Sequence, residues 1–508
     1  MGKLTDRVAK GVFWVLLEKF GIQLSHFVVT LVLARLLTPD DYGTVALLSV
    51  FIALSNVFVD AGFGKALVQK KNATQVDYNT VFYLSMVIAA VLYAVLFFSA
   101  PFVARFYGVP DLKIMLRVLA LSLIFHSING VQNVELNRKM LFHLSFRISW
   151  VRTIVSAVTG ISFALAGYGS WALVWASIFG GIAGVIARQL VIRWRPSLTF
   201  SWDSAKGLFR FGWKMTAAKL VAVGYSNLYA ILIGKFFTRA ELAFVKKGAH
   251  VPRLITNSVE GPLERVSFSA FSKLQNDPER LRDALRRVIR TASFFIFPLM
   301  AFCACSAYDL VYVLFGSKWL PTAPFVVLWS VTWSMVSFNA INMQAITACG
   351  RSDVFLKITV IRRLIGLATM CATLQFGVFV FVTAIMCVNA PLSILVYAWP
   401  NSRYLGYTPR MQLKDARASL GLTAVFCGVV YGLTFVPMPS IVRLLLQGGA
   451  GFGIYLFLAY VFRVRACSEM AVALLAARKR LPAFAVRSLE RLVARNPAVS
   501  GGKEALSA

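Results

Sequence analysis

An all-α polytopic membrane protein with two parallel six-helix repeats is the fold class this sequence predicts, and three observations predict it. Of 508 residues, 58% are hydrophobic and 15% charged, with a mean hydropathy of +0.71, outside the range of a soluble domain. Apolar segments of about 20 residues, long enough for the hydrocarbon core, recur from end to end. Third, a polar hinge is written twice. Leu33-Ala-Arg-Leu-Leu-Thr-Pro-Asp-Asp-Tyr-Gly43 separates the first two apolar segments, and Ile233-Gly-Lys-Phe-Phe-Thr-Arg-Ala-Glu-Leu-Ala243 stands two hundred positions later. Arg35 is answered by Lys235, Thr38 by Thr238, Asp41 by Glu241 and Val45 by Val245. At the same offset Lys19 is answered by Lys219, Asp60 by Glu260 and Lys65 by Arg265. A register kept through two segments and their turn signals a duplicated membrane domain, a recurring feature of transporters. A β-barrel is excluded because its strands would alternate in polarity.

Hydropathy places the first repeat's helices at roughly 11–36, 43–64, 79–104, 113–134, 144–166 and 169–192. After a basic connector with Arg193, Arg195, Lys206 and Arg210, the second set is expected at roughly 212–236, 241–262, 288–312, 322–347, 354–376 and 378–399. Two more, near 416–437 and 440–462, have no partner in the repeat, which makes fourteen. The domain reading is an N-lobe over 1–195, a C-lobe over 196–400, two additional helices over 401–462 and a basic tail over 463–508. The tail interleaves Arg478, Lys479, Arg480, Arg487, Arg491 and Arg495 with Leu, Val and Ala, as an amphipathic helix on the inner leaflet requires. Its last dozen residues are expected to be disordered. The N-terminus carries Lys3, Arg7 and Lys10 with no small-residue cleavage site, so a retained first helix is expected rather than a signal peptide.

The net charge of +32 does not indicate nucleic acid. Its cations sit in alternate loops, the distribution that the positive-inside rule demands, and they face anionic lipid headgroups. Lys65, Lys70 and Lys71 follow the second helix, and Arg280, Arg282, Arg286, Arg287 and Arg290 follow the eighth. Gly167-Tyr-Gly169 and Gln375-Phe-Gly377, in the opposite set, lack cations. Both termini are therefore expected in the cytoplasm. Six helices per repeat is an even number, so the copies share one orientation, related by a pseudo-twofold axis along the membrane normal with a cleft between them. The seven cysteines are odd in number and lack metal-ligand spacing, and free thiols are expected.

Charges inside apolar segments point to function, since a cation at the bilayer centre costs about 2.5–3.5 kcal/mol on insertion scales. Lys19 and Gln23 share a face of the first helix beside Glu18, with His26 further along it. Lys219 and Asn227 stand on the matching seventh helix. Two lysines near one axis repel unless an anion lies between them, which describes a cationic cleft for a phosphate or acidic sugar. The alternative is that each lysine snorkels to the headgroups. Lys246, His250 and Arg253 form an i, i+4, i+7 stripe beside Lys247 and Pro252, and Arg117 and Arg152 are further in-membrane cations. The stripe faces either the cleft or the outer headgroups. Asp60 and Glu260, each with a cation five residues on (Lys65 and Arg265), are either structural pairs or, with Glu18, gating and coupling groups. No P-loop, zincin or nucleophile-elbow motif is present, no cofactor or metal site is indicated, and a transporter is expected rather than an enzyme.

Several stretches resemble the polysaccharide-exporter, Wzx-type and colanic-acid-exporter-like branch of the multidrug/oligosaccharidyl-lipid/polysaccharide flippase superfamily. They are the first hinge, Asp60-Ala-Gly-Phe-Gly-Lys-Ala-Leu-Val-Gln-Lys-Lys71, Gly261-Pro-Leu-Glu-Arg-Val266, Ser272-Lys-Leu-Gln275 and Leu314-Phe-Gly-Ser-Lys-Trp319. The resemblance implies two six-helix lobes in a V, with helices one, two, seven and eight lining a cavity. It also implies that a polyprenyl-diphosphate-linked glycan moves from the inner to the outer leaflet by alternating access, with a glycan polymerase or export complex as a further partner. Val245-Lys-Lys-Gly-Ala-His-Val-Pro-Arg253 is more basic than that family pattern. The rival readings are a peptidoglycan-precursor flippase, a drug or cation antiporter, which would want an acidic cavity, and a membrane glycan polymerase, which would want a large external loop.

Overall fold

The computed structural model describes residues 21–469, apart from Ile22, residues 71–72, Met140 and Arg193, and omits some side chains within its helices. Among the described residues every regular element is helical. Among the described residues ten helices are long and apolar enough to cross a membrane, so this is a multi-pass membrane protein. Two shorter apolar helices, Gln23–Leu36 and Val378–Val388, accompany them. The expected segments near 241–262 and 354–376 fall outside that set because Lys246, Lys247 and Arg253 interrupt one, and Lys357, Arg362 and Arg363 the other. The basic tail beyond residue 469 lies outside the described residues.

The chain divides into two compact units, residues 1–243 and 244–508. The first contains α1 (Gln23–Leu36), α2 (Pro39–Asp60), α3 (Phe63–Gln69), α4 (Gln75–Tyr107), α5 (Leu112–Ala120), α6 (Ser122–Arg138), α7 (Phe142–Leu165), α8 (Ser170–Val191) and α9 (Trp202–Phe236). The start of α10 (Arg239–Gly248) closes it. The duplicated hinge becomes two capping boxes. Thr38 and Asp41 cap α2 reciprocally, and Thr238 and Glu241 do the same for α10. Each pair satisfies two helix-terminal N–H groups that would otherwise lie unpaired near lipid.

The connector at 194–204, expected to part the lobes, is bonded along the start of α4. Trp194 Nε1 donates to Gln75 Oε1 at 3.0 Å, and Asn79 Nδ2 reaches Ser197 Oγ and Thr199 Oγ1, each at 2.6 Å. Asp77 accepts from Ser204 Oγ and pairs with Lys70 at 2.7 Å. These bonds carry α9 with the first unit. A buried cluster of Phe63, Leu67, Val81, Val134, Ile148 and Trp194 fills the space beneath them.

The second unit contains α11 (His250–Lys273), α12 (Pro278–Cys305), α13 (Ala307–Phe315), α14 (Ala323–Ala348), α15 (Ser352–Thr373), α16 (Val378–Leu405), α17 (Pro409–Gly432) and α18 (Ser440–Val461). α12 runs through its core, stacked on α14 through Phe297 and Phe338, at 5.4 Å between ring centroids. The last two helices, unpaired in the repeat, are packed into this core. Phe294, Phe426 and Tyr455 form one buried cluster, and the Tyr455 hydroxyl donates to the Phe294 carbonyl at 2.9 Å.

Three buried amides tie α14, α16 and α17. Asn342 Oδ1 accepts from Gln412 Nε2 at 2.9 Å and from Asn401 Nδ2 at 2.7 Å, and Asn342 Nδ2 donates back to Gln412 Oε1. Asn342→Leu keeps the volume, strands the Gln412 amide and leaves Asn401 only its 3.1 Å bond to the main-chain carbonyl of residue 342. Since an unsatisfied buried polar group costs about 1–3 kcal/mol, the variant should lose on the order of 2–4 kcal/mol of stability. A melting temperature in detergent equal to that of the unmodified protein contradicts this account.

Candidate functional site

Within the first unit, α2 and α9 run antiparallel and meet at both ends. At one end the two hinges touch. A Cβ on Gly43 would lie 2.0 Å from the Arg239 carbonyl oxygen, while Arg239 Nη1 donates to Thr44 Oγ1 at 3.2 Å and its Nε stands 3.7 Å from Asp40. At the other end α2 turns into α3 through Ala61 and Gly62, both with positive φ, and Gly62 lies backbone to backbone against Gly212. Only a residue without a Cβ permits that approach.

Beside the second contact lies a cavity of about 860 Å³, with walls from α2, α3, α4, α6 and α9. Most of its wall is apolar, from Val57, Phe63, Val81, Val131, Val134 and Met215. Among the described residues its charges are Asp60, His126, Lys214 and Lys219. The Asp60 carboxylate is shared. Oδ2 accepts from Lys219 Nζ at 2.6 Å and Oδ1 faces His126 Nε2 at 2.8 Å. Lys214, one turn and a residue before Lys219, is exposed and has no ion-pair partner among the described residues. The paired side chains remain open to the cavity, 37% exposed for Asp60 and 53% for Lys219. A carboxylate bridged by an ammonium and an imidazole is an exchangeable arrangement. Such an arrangement is chemically able to exchange the carboxylate for another anion as the partner of the ammonium.

The sequence readings meet this site in part. Lys219 and Asp60, read separately as a cleft cation and a gating acid, are partners. His126, read as a scattered histidine, completes the pair across a sequence separation that carries no local signal. Lys19 and Glu18 lie outside the described residues, as do the side chains of Lys65, Glu260 and Arg265. Gln23 on α1 and Arg152 on α7 lie outside the cavity wall, the Arg152 stem resting over Gly184 of α8. Asn227 donates to the Val223 carbonyl of its own helix at 2.9 Å. Arg117 is held by the Phe97 carbonyl at 3.1 Å and by its ring at 4.0 Å.

Lys246, His250 and Arg253 belong to the second unit. Lys246 and His250 are half-buried and Arg253 is exposed, with the helix interrupted at Ala249 between α10 and α11. The more buried cation is their neighbour Lys247, 6% exposed, which stands 5.2 Å from the Phe315 ring and 5.4 Å from the Trp319 ring. The aromatic faces compensate part of its desolvation. Leu314-Phe-Gly-Ser-Lys-Trp319 held that signal, since it supplies both rings.

The model of the family described as polysaccharide biosynthesis protein matches residues 32–324. The teichuronic acid biosynthesis protein TuaB of Bacillus subtilis is 23% identical over 473 residues, covering 90% of this chain and 96% of TuaB. The succinoglycan biosynthesis transport protein ExoT of Rhizobium meliloti is 23% identical over 350 residues, 69% of each chain. Among solved structures, the lipid II flippase MurJ in an inward closed conformation superposes with a TM-score of 0.72 at 14% identity, covering 89% of this chain and 98% of MurJ. The fold is therefore MurJ-like.

Proposed function

The chain belongs to the polysaccharide biosynthesis protein family, and from that premise we propose that it is a flippase for a polyprenyl-diphosphate-linked oligosaccharide. It moves the repeat unit from the inner to the outer leaflet of the bacterial cytoplasmic membrane. Fourteen helices, arranged as two six-helix lobes plus two, place both termini in the cytoplasm. The observation that carries the reading is the Asp60–Lys219–His126 set with Lys214 beside it. The names of TuaB and ExoT, a biosynthesis protein and a transport protein for polysaccharides, support it.

In this mechanism the diphosphate displaces Asp60 from Lys219 and recruits Lys214. The ammonium groups replace part of the hydration that the phosphates lose, which makes the apolar cavity tolerable to a charged headgroup. Release of Asp60 loosens the end of α2 that rests on α9, and access passes to the opposite leaflet as a population shift between two states. The glycan stays in the cavity and the prenyl tail in lipid. No ATP-binding motif is needed, because the gradient of substrate or of an ion supplies the bias.

The test uses a strain lacking the protein, with diphosphate-linked repeat units quantified in each leaflet. The unmodified protein clears the inner leaflet. Lys219→Ala should slow clearance about ten-fold or more, since a hydrogen bond to a charged group such as the substrate phosphate contributes about 1.5–3 kcal/mol, while Lys219→Arg should retain most of it. Clearance by Lys219→Ala at the unmodified rate removes Lys219 from the mechanism. No accumulation in the strain lacking the protein removes the export reading itself. A peptidoglycan-precursor substrate predicts instead that the strain is inviable.

A further inference from the structure

The second unit holds a cavity of its own, about 880 Å³, bounded by α12, α17 and the end of α18. Its wall changes character along its depth. Arg290 is the last cation of α12 and Arg417 the last of α17, and Arg463 is the first charge after the apolar run 444–462 of α18. All three line the cavity. Three helices thus pass from cationic to apolar sequence around one cavity, which is how a protein surface reads at the headgroup boundary of a bilayer. On the apolar side stand Val425, Leu458 and Phe462, of which Val425 is 47% and Phe462 69% exposed.

The charges divide into two groups. Arg286 and Arg290 are bonded to Asp415, and Arg290 also to Glu469, so protein carboxylates hold them in place. Lys414, Arg417 and Arg465 are exposed and have no ion-pair partner among the described residues. They come from two separate elements and converge on one opening. A soluble anion would answer the cations and leave the apolar wall bare. A zwitterionic lipid would answer the wall and leave the cations uncompensated.

We propose that this crevice is a binding site for an anionic membrane phospholipid, its phosphates held by Lys414, Arg417 and Arg465 and its acyl chains laid against Val425, Leu458 and Phe462. By the positive-inside distribution the site opens to the cytoplasmic leaflet. The site is separate from the Asp60–Lys219 cavity and does not depend on what that cavity transports. Phosphate on an apolar tail is also the chemistry of a prenyl diphosphate, and the experiment separates the two sources.

Full-length protein in a neutral detergent is titrated with cardiolipin, phosphatidylcholine, undecaprenyl diphosphate or inorganic phosphate, and bound species are counted by native mass spectrometry. Cardiolipin is expected to bind and phosphatidylcholine and inorganic phosphate to fail. The triple variant K414Q/R417Q/R465Q should bind cardiolipin about a hundred-fold more weakly, from the several-fold that each basic residue contributes at a lipid surface. The charge-retaining variant K414R/R417K/R465K should bind as the unmodified protein does, and so should K206Q/R210Q on α9 of the other unit. Equal binding of cardiolipin by the neutralised triple variant overturns the site. So does equal binding of phosphatidylcholine. Displacement of bound cardiolipin by a small molar fraction of undecaprenyl diphosphate also overturns it, assigning the crevice to the transported lipid instead.

Discussion

Gly62→Val should yield less than a tenth of the unmodified level of folded protein, and what remains should not clear lipid-linked repeat units from the inner leaflet. Two independent costs act at this position. Gly62 has φ +69°, and a Cβ there would lie 2.5 Å from the Gly212 carbonyl oxygen and 2.7 Å from its Cα. Those atoms are backbone, so no rotamer change relieves the clash. A left-handed conformation costs a side-chain-bearing residue about 1–2 kcal/mol, and overpacking a tight contact adds about 1–3 kcal/mol. Together they remove a large share of a marginal total of about 5–15 kcal/mol. Gly64→Ala is the comparison, because a Cβ at Gly64 meets only a Val134 methyl at 3.5 Å. It should elute as the unmodified protein does by size exclusion in detergent. A monodisperse, transport-competent Gly62→Val protein would show that α2 and α9 do not cross there.

The second large effect is expected at Asp415. Its carboxylate, 8% exposed, accepts from Arg286 Nε at 2.8 Å, Arg286 Nη2 at 3.0 Å and the Tyr407 hydroxyl at 2.9 Å, and it lies 3.4 Å from Arg290 Nη1. Asp415→Ala leaves the guanidinium groups of Arg286 and Arg290, both on α12, without the α17 carboxylate that neutralised them. Breaking a buried ion pair from one side costs about 3–5 kcal/mol, since the remaining charge stays desolvated. Arg286 keeps some solvent exposure, so the lower part of that range is expected, measured as a fall in melting temperature in neutral detergent. Glu469 still pairs with Arg290 at 2.7 Å and limits the damage on that side. Added cardiolipin should restore part of the loss, because a phosphate can stand where the carboxylate stood. Asp415→Ala with an unchanged melting temperature would mean that the network is peripheral to stability.

Much of the architecture was legible in the chain. The twice-written hinge became two capping boxes because Thr and Asp or Glu at N-cap and N3 satisfy local N–H groups whatever surrounds them. What was not legible followed from contacts that sequence separation hides. The connector between the repeats reads as a basic linker, yet its Ser197 and Thr199 hydroxyls and Trp194 match the amides of Gln75 and Asn79 on α4. Lys219 and Asp60 were each visible as an in-membrane charge, but nothing local says that they share a bond, or that His126 joins them. The stripe Lys246, His250 and Arg253 was visible by helical spacing, whereas the buried Lys247 was found only by the rings that surround it.

By itself the sequence determined that the chain lives in a bilayer, that it is helical, that it carries a duplicated pattern, and which segments hold charge in apolar surroundings. These follow from composition, length and period, properties that act along the chain and need no partner. Only the tertiary structure decided which charges are paired. An ion pair depends on distances between helices remote in sequence, and in a low-dielectric interior a few ångströms separate a cation poised for a substrate from one bonded to its own fold.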